Sequence, residues 1–167
     1  MVTQGFKVSL DADYCDASER RCIEHFAKWA DSHPWFSEWT ACEKYCGHDV
    51  DATDVRGRKC AIELKYRALD IEEYDNYFIE ADKLADGLLA ARGGACIPLY
   101  VNFFRDGNVA VWNLADPTLV PVKDKKRRRN KGTGVMDENV VYRLPVASAR
   151  VSTLCPPDRR PAGKSGV

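Results

Sequence analysis

"VDATDVRGRKCAIELKYR", residues 50–67, decides how the rest of the chain is read. Strand side chains alternate between faces, so Cys60, Ile62, Leu64 and Tyr66 make an apolar side, and Ala61, Glu63, Lys65 and Arg67 make a charged one. The plain reading is a half-exposed strand with a solvated face. The stretch also reads as a hairpin turning at Arg56-Gly57-Arg58. In that register Val55 faces Lys59, Thr53 faces Ala61 and Asp51 faces Glu63, with opposed Cβ atoms about 4.5–5.5 Å apart. Two carboxylates so placed repel each other, and a divalent cation with oxygen ligands relieves the repulsion. A two-residue turn would put Asp54 in the place of Asp51, and the sequence leaves both registers open.

Working outward, "DASERRCIEHFAKWADS" (16–32) predicts a helix starting near Asp16 or Ser18, with Asp16 and Glu19 at capping-box spacing. Ile23, Phe26 and Ala30 recur on one helical face, and Glu19 extends that stripe backwards, as a cap or as a group pointing into a site. Pro34 breaks the helix, and "WTACEKYC" (39–46) predicts a strand. After the hairpin, "DIEEYDNYFIEADKLADGLLAAR" (70–92) reads as one long helix closed by Gly93-Gly94, with Tyr74, Tyr77 and Lys83 as candidates to face the site. "ACIPLYVNFF" (95–104) and "VAVWNL" (109–114) predict two strands joined by an Asp106-Gly107-Asn108 turn, and "VVYRLPV" (140–146) a final one. The order α-β-β-β-α-β-β implies an α/β or α+β sandwich, a central mixed sheet flanked by helices. Residues 1–154 are expected to form a single domain carrying a basic loop at 117–134, with a disordered Pro/Gly-rich tail at 155–167.

The net charge of zero hides a split. Residues 117–167 hold 12 Lys/Arg against 4 Asp/Glu, and the remainder holds 13 against 21, an acidic body with a basic arm. Such a balance suits a polyanionic partner and a site that concentrates carboxylates. No stretch approaches the roughly 20 apolar residues of a membrane span. The N-terminal residues show no basic segment followed by an apolar run, which points to a cytoplasmic protein without membrane attachment. Seven scattered cysteines argue against a disulfide framework. Cys42, Cys46 and His48 form a Cys-x3-Cys-x-His cluster, but zinc there needs a fourth ligand, and no second Cys/His pair follows at finger spacing.

An acid on one strand followed by Glu63-Leu64-Lys65 on the next resembles the PD-(D/E)xK nuclease superfamily, whose signature is an acid and then Glu/Asp-x-Lys in an αβββαβ, restriction-endonuclease-like core. "SERRCIEHF" resembles the first helix of the superfamily's Holliday-junction resolvases, where a helical Glu joins the metal site; Glu19 is the matching position. The resemblance spans roughly residues 16–113. No Pro precedes Asp51, and the long helix lacks the Gln-x-x-x-Tyr pattern of the exonuclease branch.

The resemblance implies Mg2+ or Mn2+ held by Asp51, Glu63, the Leu64 carbonyl and Glu19, with Lys65 stabilising charge at phosphorus or orienting the attacking water. It implies a metal-dependent deoxyribonuclease, an endonuclease or junction resolvase of phage, mobile-element or repair type, and is compatible with a homodimer. Lys123, Lys125, Lys126, Arg127, Arg128, Arg129 and Lys131 suit DNA phosphate contacts that carry no sequence information. The alternatives are a catalytically silent nucleic-acid-binding module on the same fold, or a small zinc-stabilised adaptor built on Cys42, Cys46 and His48.

Overall fold

Helix α1 (Ala17–Ser32) forms where the apolar residues recur every three or four positions, burying Cys22, Ile23, Phe26 and Trp29 on one face. The computed structural model describes residues 17–43, 46–129 and 133–155, and of residues 128 and 129 the backbone alone. The expected cap at Asp16, the tail from 156 onward and Lys131 therefore lie outside the described residues. Strands β1 (Phe36–Ala41), β2 (Val50–Asp54), β3 (Lys59–Arg67), β5 (Ile97–Phe104), β6 (Asn108–Asn113) and β9 (Arg150–Thr153) make the main sheet, in the order β1-β2-β3-β5-β6-β9. Among the described residues only the central β3–β5 pair is parallel, so this sheet is mixed.

Two apolar clusters lie against this sheet. α1 packs with Val50, Ile62, Leu64, Val101 and Phe103, so the predicted apolar side of β3 is the face toward α1. The other cluster joins Tyr100, Phe104 and Trp112 to Ile79, Leu84 and Leu144. These last come from β4 (Asn76–Glu80), α2 (Ala81–Ala90) and β8 (Met136–Pro145). β4, β8 and β7 (Val122–Arg129) form a second, antiparallel sheet in the order β4-β8-β7.

Three expectations are corrected. The strand foreseen over 39–46 runs instead from Phe36 to Ala41, and Cys42 and Glu43 lie past its end. The single long helix over 70–92 divides into a 3-10 turn (Ile71–Glu73), β4 and α2. Tyr77 and Ile79 are buried at period two, and the Tyr77 hydroxyl donates to the carbonyls of Asp70 and Ile71, which holds the segment extended. The middle of the basic loop, Val122–Arg129, is strand β7. Ion pairs cross its ladder with β8: Lys125 Nζ of β7 lies 2.7 Å from Glu138, and Arg143 of β8 lies 3.3 Å from Asp124 of β7. The basic run has no apolar residue to signal a strand; pairing with β8, whose Glu138 meets Lys125, holds it extended. Among the described residues, no helix is long and apolar enough to cross a membrane.

Candidate active site

The hairpin of β2 and β3 turns one residue earlier than expected. Gly57 has φ +78°, the left-handed conformation that closes a three-residue loop, so the loop is Val55-Arg56-Gly57. Asp54 N–H then donates to Arg58 O at 2.9 Å. The Asp54 carboxylate accepts from the Arg56 and Arg58 backbone N–H groups and from the Arg58 guanidinium, so it caps the turn. Those hydrogen bonds hold its carboxyl below the usual range. Thr53 pairs with Lys59 and Asp51 with Ala61. Neither expected register is observed: Asp51 does not face Glu63 and Asp54 does not replace it. The Asp51 side chain is 69% exposed and meets His48 Nε2 at 2.6 Å.

The carboxylate beside Glu63 is Asp49. Its N–H donates to Ile62 O at 2.9 Å although Ile62 is already the register partner of Val50, so two residues stand against one. This is a β-bulge at the start of β2, a device that re-aims a side chain. The Asp49 carboxylate turns along the sheet and accepts the Leu64 N–H at 2.7 Å. Within a strand the N–H and C=O of one residue point the same way, so the Leu64 carbonyl lies on the edge that Asp49 occupies. Burial raises the proton affinity of Asp49 more than the Leu64 hydrogen bond lowers it. Burial, followed by the charge of Asp49, pushes Glu63 up to about 8. Lys83 of α2 opposes that shift with its ammonium 3.2 Å from Glu63 Oε2.

Lys65, two residues after Glu63 on the same side of β3, is half exposed and lies 3.8 Å from Glu80, the residue that precedes α2. Glu19 is exposed in the first turn of α1. It stands one turn before Cys22, whose buried thiol is raised to about 11 by burial first and then by Asp49. Of the long-helix candidates, Lys83 reaches the site, Tyr77 is buried away from it and Tyr74 is exposed. Behind Lys65, Arg67 donates to Asn102 Oδ1 at 2.7 Å, to Phe78 O and to the Tyr100 hydroxyl, tying β3, β5 and β4 together. This floor holds Glu63 and Lys65 on a rigid element.

The basic hairpin borders the same region. Phe78 and Glu80 share a face of β4, and Lys126 of β7 sits over the Phe78 ring at 5.3 Å. Lys123, Lys125, Lys126 and Arg127 lie along β7, with Lys125 66% exposed. Arg128 and Arg129 continue its backbone opposite Asp137 and Met136.

Sequence reasoning missed Asp49 and Glu80. The signal for Asp49 was present: Gly57 fixes the last loop position, and counting back from it removes Asp51 from the place opposite Glu63.

Among known proteins, no family model matches the sequence, and neither does any curated protein. A solved structure does match: the Holliday junction resolvase Hjc from the archaeal hyperthermophile Archaeoglobus fulgidus, at 14% identity and a TM-score of 0.50. The match covers 78% of this chain and 85% of that one. The fold is restriction-endonuclease-like. At that identity the likeness concerns the fold, and the resolvase's activity is that protein's own.

Proposed function

We propose that this chain is a divalent-metal-dependent nuclease hydrolysing DNA phosphodiester bonds as an endonuclease or junction resolvase. The observation that carries the reading is the pairing of Asp49 with Glu63. Two partly buried carboxylates lie side by side, both with raised proton affinity, next to the edge that carries the Leu64 carbonyl and next to Lys65. A site that strains against its own negative charge fits a hard cation with oxygen ligands, and Asp49, Glu63 and Leu64 O would hold it. Such a cation supplies Lewis acidity toward a phosphate oxygen and acidifies a water. Lys83 partly neutralises Glu63, and its ammonium would turn outward once a cation takes that place. Lys65, held on β3 and only loosely paired with Glu80, is placed to meet developing charge at phosphorus. Glu19, one turn before Cys22, would close the site from α1. Lys123, Lys125, Lys126 and Arg127 on the basic hairpin would contact phosphates beside it.

The test is incubation of the purified chain with plasmid, linear and four-way-junction DNA, in Mg2+, Mn2+ or EDTA, beside Glu63→Gln. Cleavage that needs the metal and disappears in Glu63→Gln supports the reading. DNA binding without cleavage under every metal condition makes the chain a binding module instead.

A further inference from the structure

We propose that Cys42, Cys46, His48 and Asp51 form a structural zinc site, separate from the oxygen-lined site at Asp49 and Glu63. The sequence supplied three of these ligands and lacked a fourth; the observed hairpin register provides it. The ligand atoms of Cys42, His48 and Asp51 all lie within 4.8 Å of one another. Cys46, four residues after Cys42, stands outside that group of three, and its exposed side chain would have to swing in to supply the fourth ligand. Bond lengths of about 2.0–2.3 Å to tetrahedral zinc put ligand atoms roughly 3.3–3.8 Å apart. His48 Nε2 and Asp51 Oδ1, at 2.6 Å, need only a small opening, and the exposed Asp51 side chain has room to make it.

The donor set selects the metal. Two thiolates, an imidazole and a carboxylate suit zinc, whereas Mg2+ takes oxygen ligands. Packing does not explain the thiols: Cys46 is exposed and Cys42 is only half-buried, unlike Cys22 and Cys60 in the core. The site also has a mechanical consequence. The connection between β1 and β2 leaves the sheet at Cys42 and rejoins it at Asp49, where Cys42 N–H donates to Asp49 O at 2.8 Å. A zinc ion would cross-link both ends of this connection and fix His48, the residue next to Asp49. The cluster opens onto a groove lined by Trp39, Lys59 and Cys96, which gives a metal access from solvent.

The experiment uses the full chain, purified under reducing conditions and dialysed with excess Mg2+. Elemental analysis should return one zinc per chain. Replacement by Co2+ should give a thiolate-to-cobalt charge-transfer band. Cys46→Ser changes an exposed residue and should weaken zinc binding and diminish that band. Asp51→Asn should lower zinc affinity by about tenfold or more. Glu63→Gln should leave zinc content unchanged, so failure here is distinct from failure of the nuclease reading. Reduced wild-type protein that takes up no zinc at micromolar free zinc would overturn the proposal. So would a charge-transfer band that persists unaltered in Cys46→Ser, or a Cys42–Cys46 disulfide that forms in preference to metal uptake.

Discussion

Asp49, just before β2, and Asp51, within it, sit two residues apart yet meet different surroundings. Asp49 is drawn along the sheet by the bulge, accepts a backbone N–H and stands beside Glu63 in partly desolvated surroundings. Asp51 points outward to His48 and the Cys42 thiol. The first environment suits a hard cation and phosphate chemistry, the second a soft structural one. Neighbouring identical residues are thus told apart by burial and by what the backbone beside them offers, and the separation can be tested residue by residue.

The largest contrast is expected in cleavage. Asp49→Asn and Glu63→Gln should each lower the Mg2+-dependent rate by on the order of 10³-fold or more, because the metal and its electrostatic stabilisation are removed. Asp51→Asn should cost no more than about tenfold, as a group that acts on Asp49 only indirectly. Rates for the three variants on one DNA substrate check this. A collapse in Asp51→Asn with Asp49→Asn near wild type would reverse the assignment.

Next comes Lys65. Lys65→Ala should reduce turnover by about 10²–10³-fold while leaving DNA affinity and the melting temperature close to wild type. Single-turnover rates beside equilibrium binding separate the two effects. Equal reductions in both would make Lys65 a binding group.

A smaller effect should appear in stability against pH. Folded Glu63 keeps its proton up to about 8, whereas the unfolded chain releases it near the ordinary glutamate value of 4.5. The folded state therefore binds more protons across that interval, and stability falls as pH rises through it. Asp49 shifts in the same direction, and Lys83, raised above 10.5, titrates outside the interval. Melting curves in EDTA between about pH 5 and 8.5 should show the decline, Glu63→Gln should flatten it, and Mg2+ should offset it at the alkaline end. A melting temperature that rises over this range would contradict the buried-carboxylate description.

The mildest change should come from the hairpin. Replacing Lys123, Lys125, Lys126 and Arg127 by Ser should leave saturated turnover nearly intact. It should reduce the slope of log affinity against log salt by about 0.9 for each phosphate no longer neutralised. Lys125, paired with Glu138, should contribute least on its own. An unchanged slope would remove the hairpin from the DNA interface.

Much of this was legible in the chain because it depends on local pattern. The stripe of Cys22, Ile23 and Phe26 fixes α1, alternation fixes the two faces of β3, and Glu63-Leu64-Lys65 follows from strand geometry alone. What the tertiary structure decided depends on partners distant in sequence. Burial of Tyr77 and Ile79 against the core turns a helical-looking segment into β4. Pairing with β8, whose Glu138 meets Lys125, holds the run of cations in β7 extended. The bulge that brings Asp49 to Glu63 exists because Ile62 O and Leu64 N are presented by the neighbouring strand. Sequence period determines which face a side chain takes, because the backbone repeat is local; which acid meets which is a matter of register, and register is set by turn geometry and by hydrogen bonds across strands.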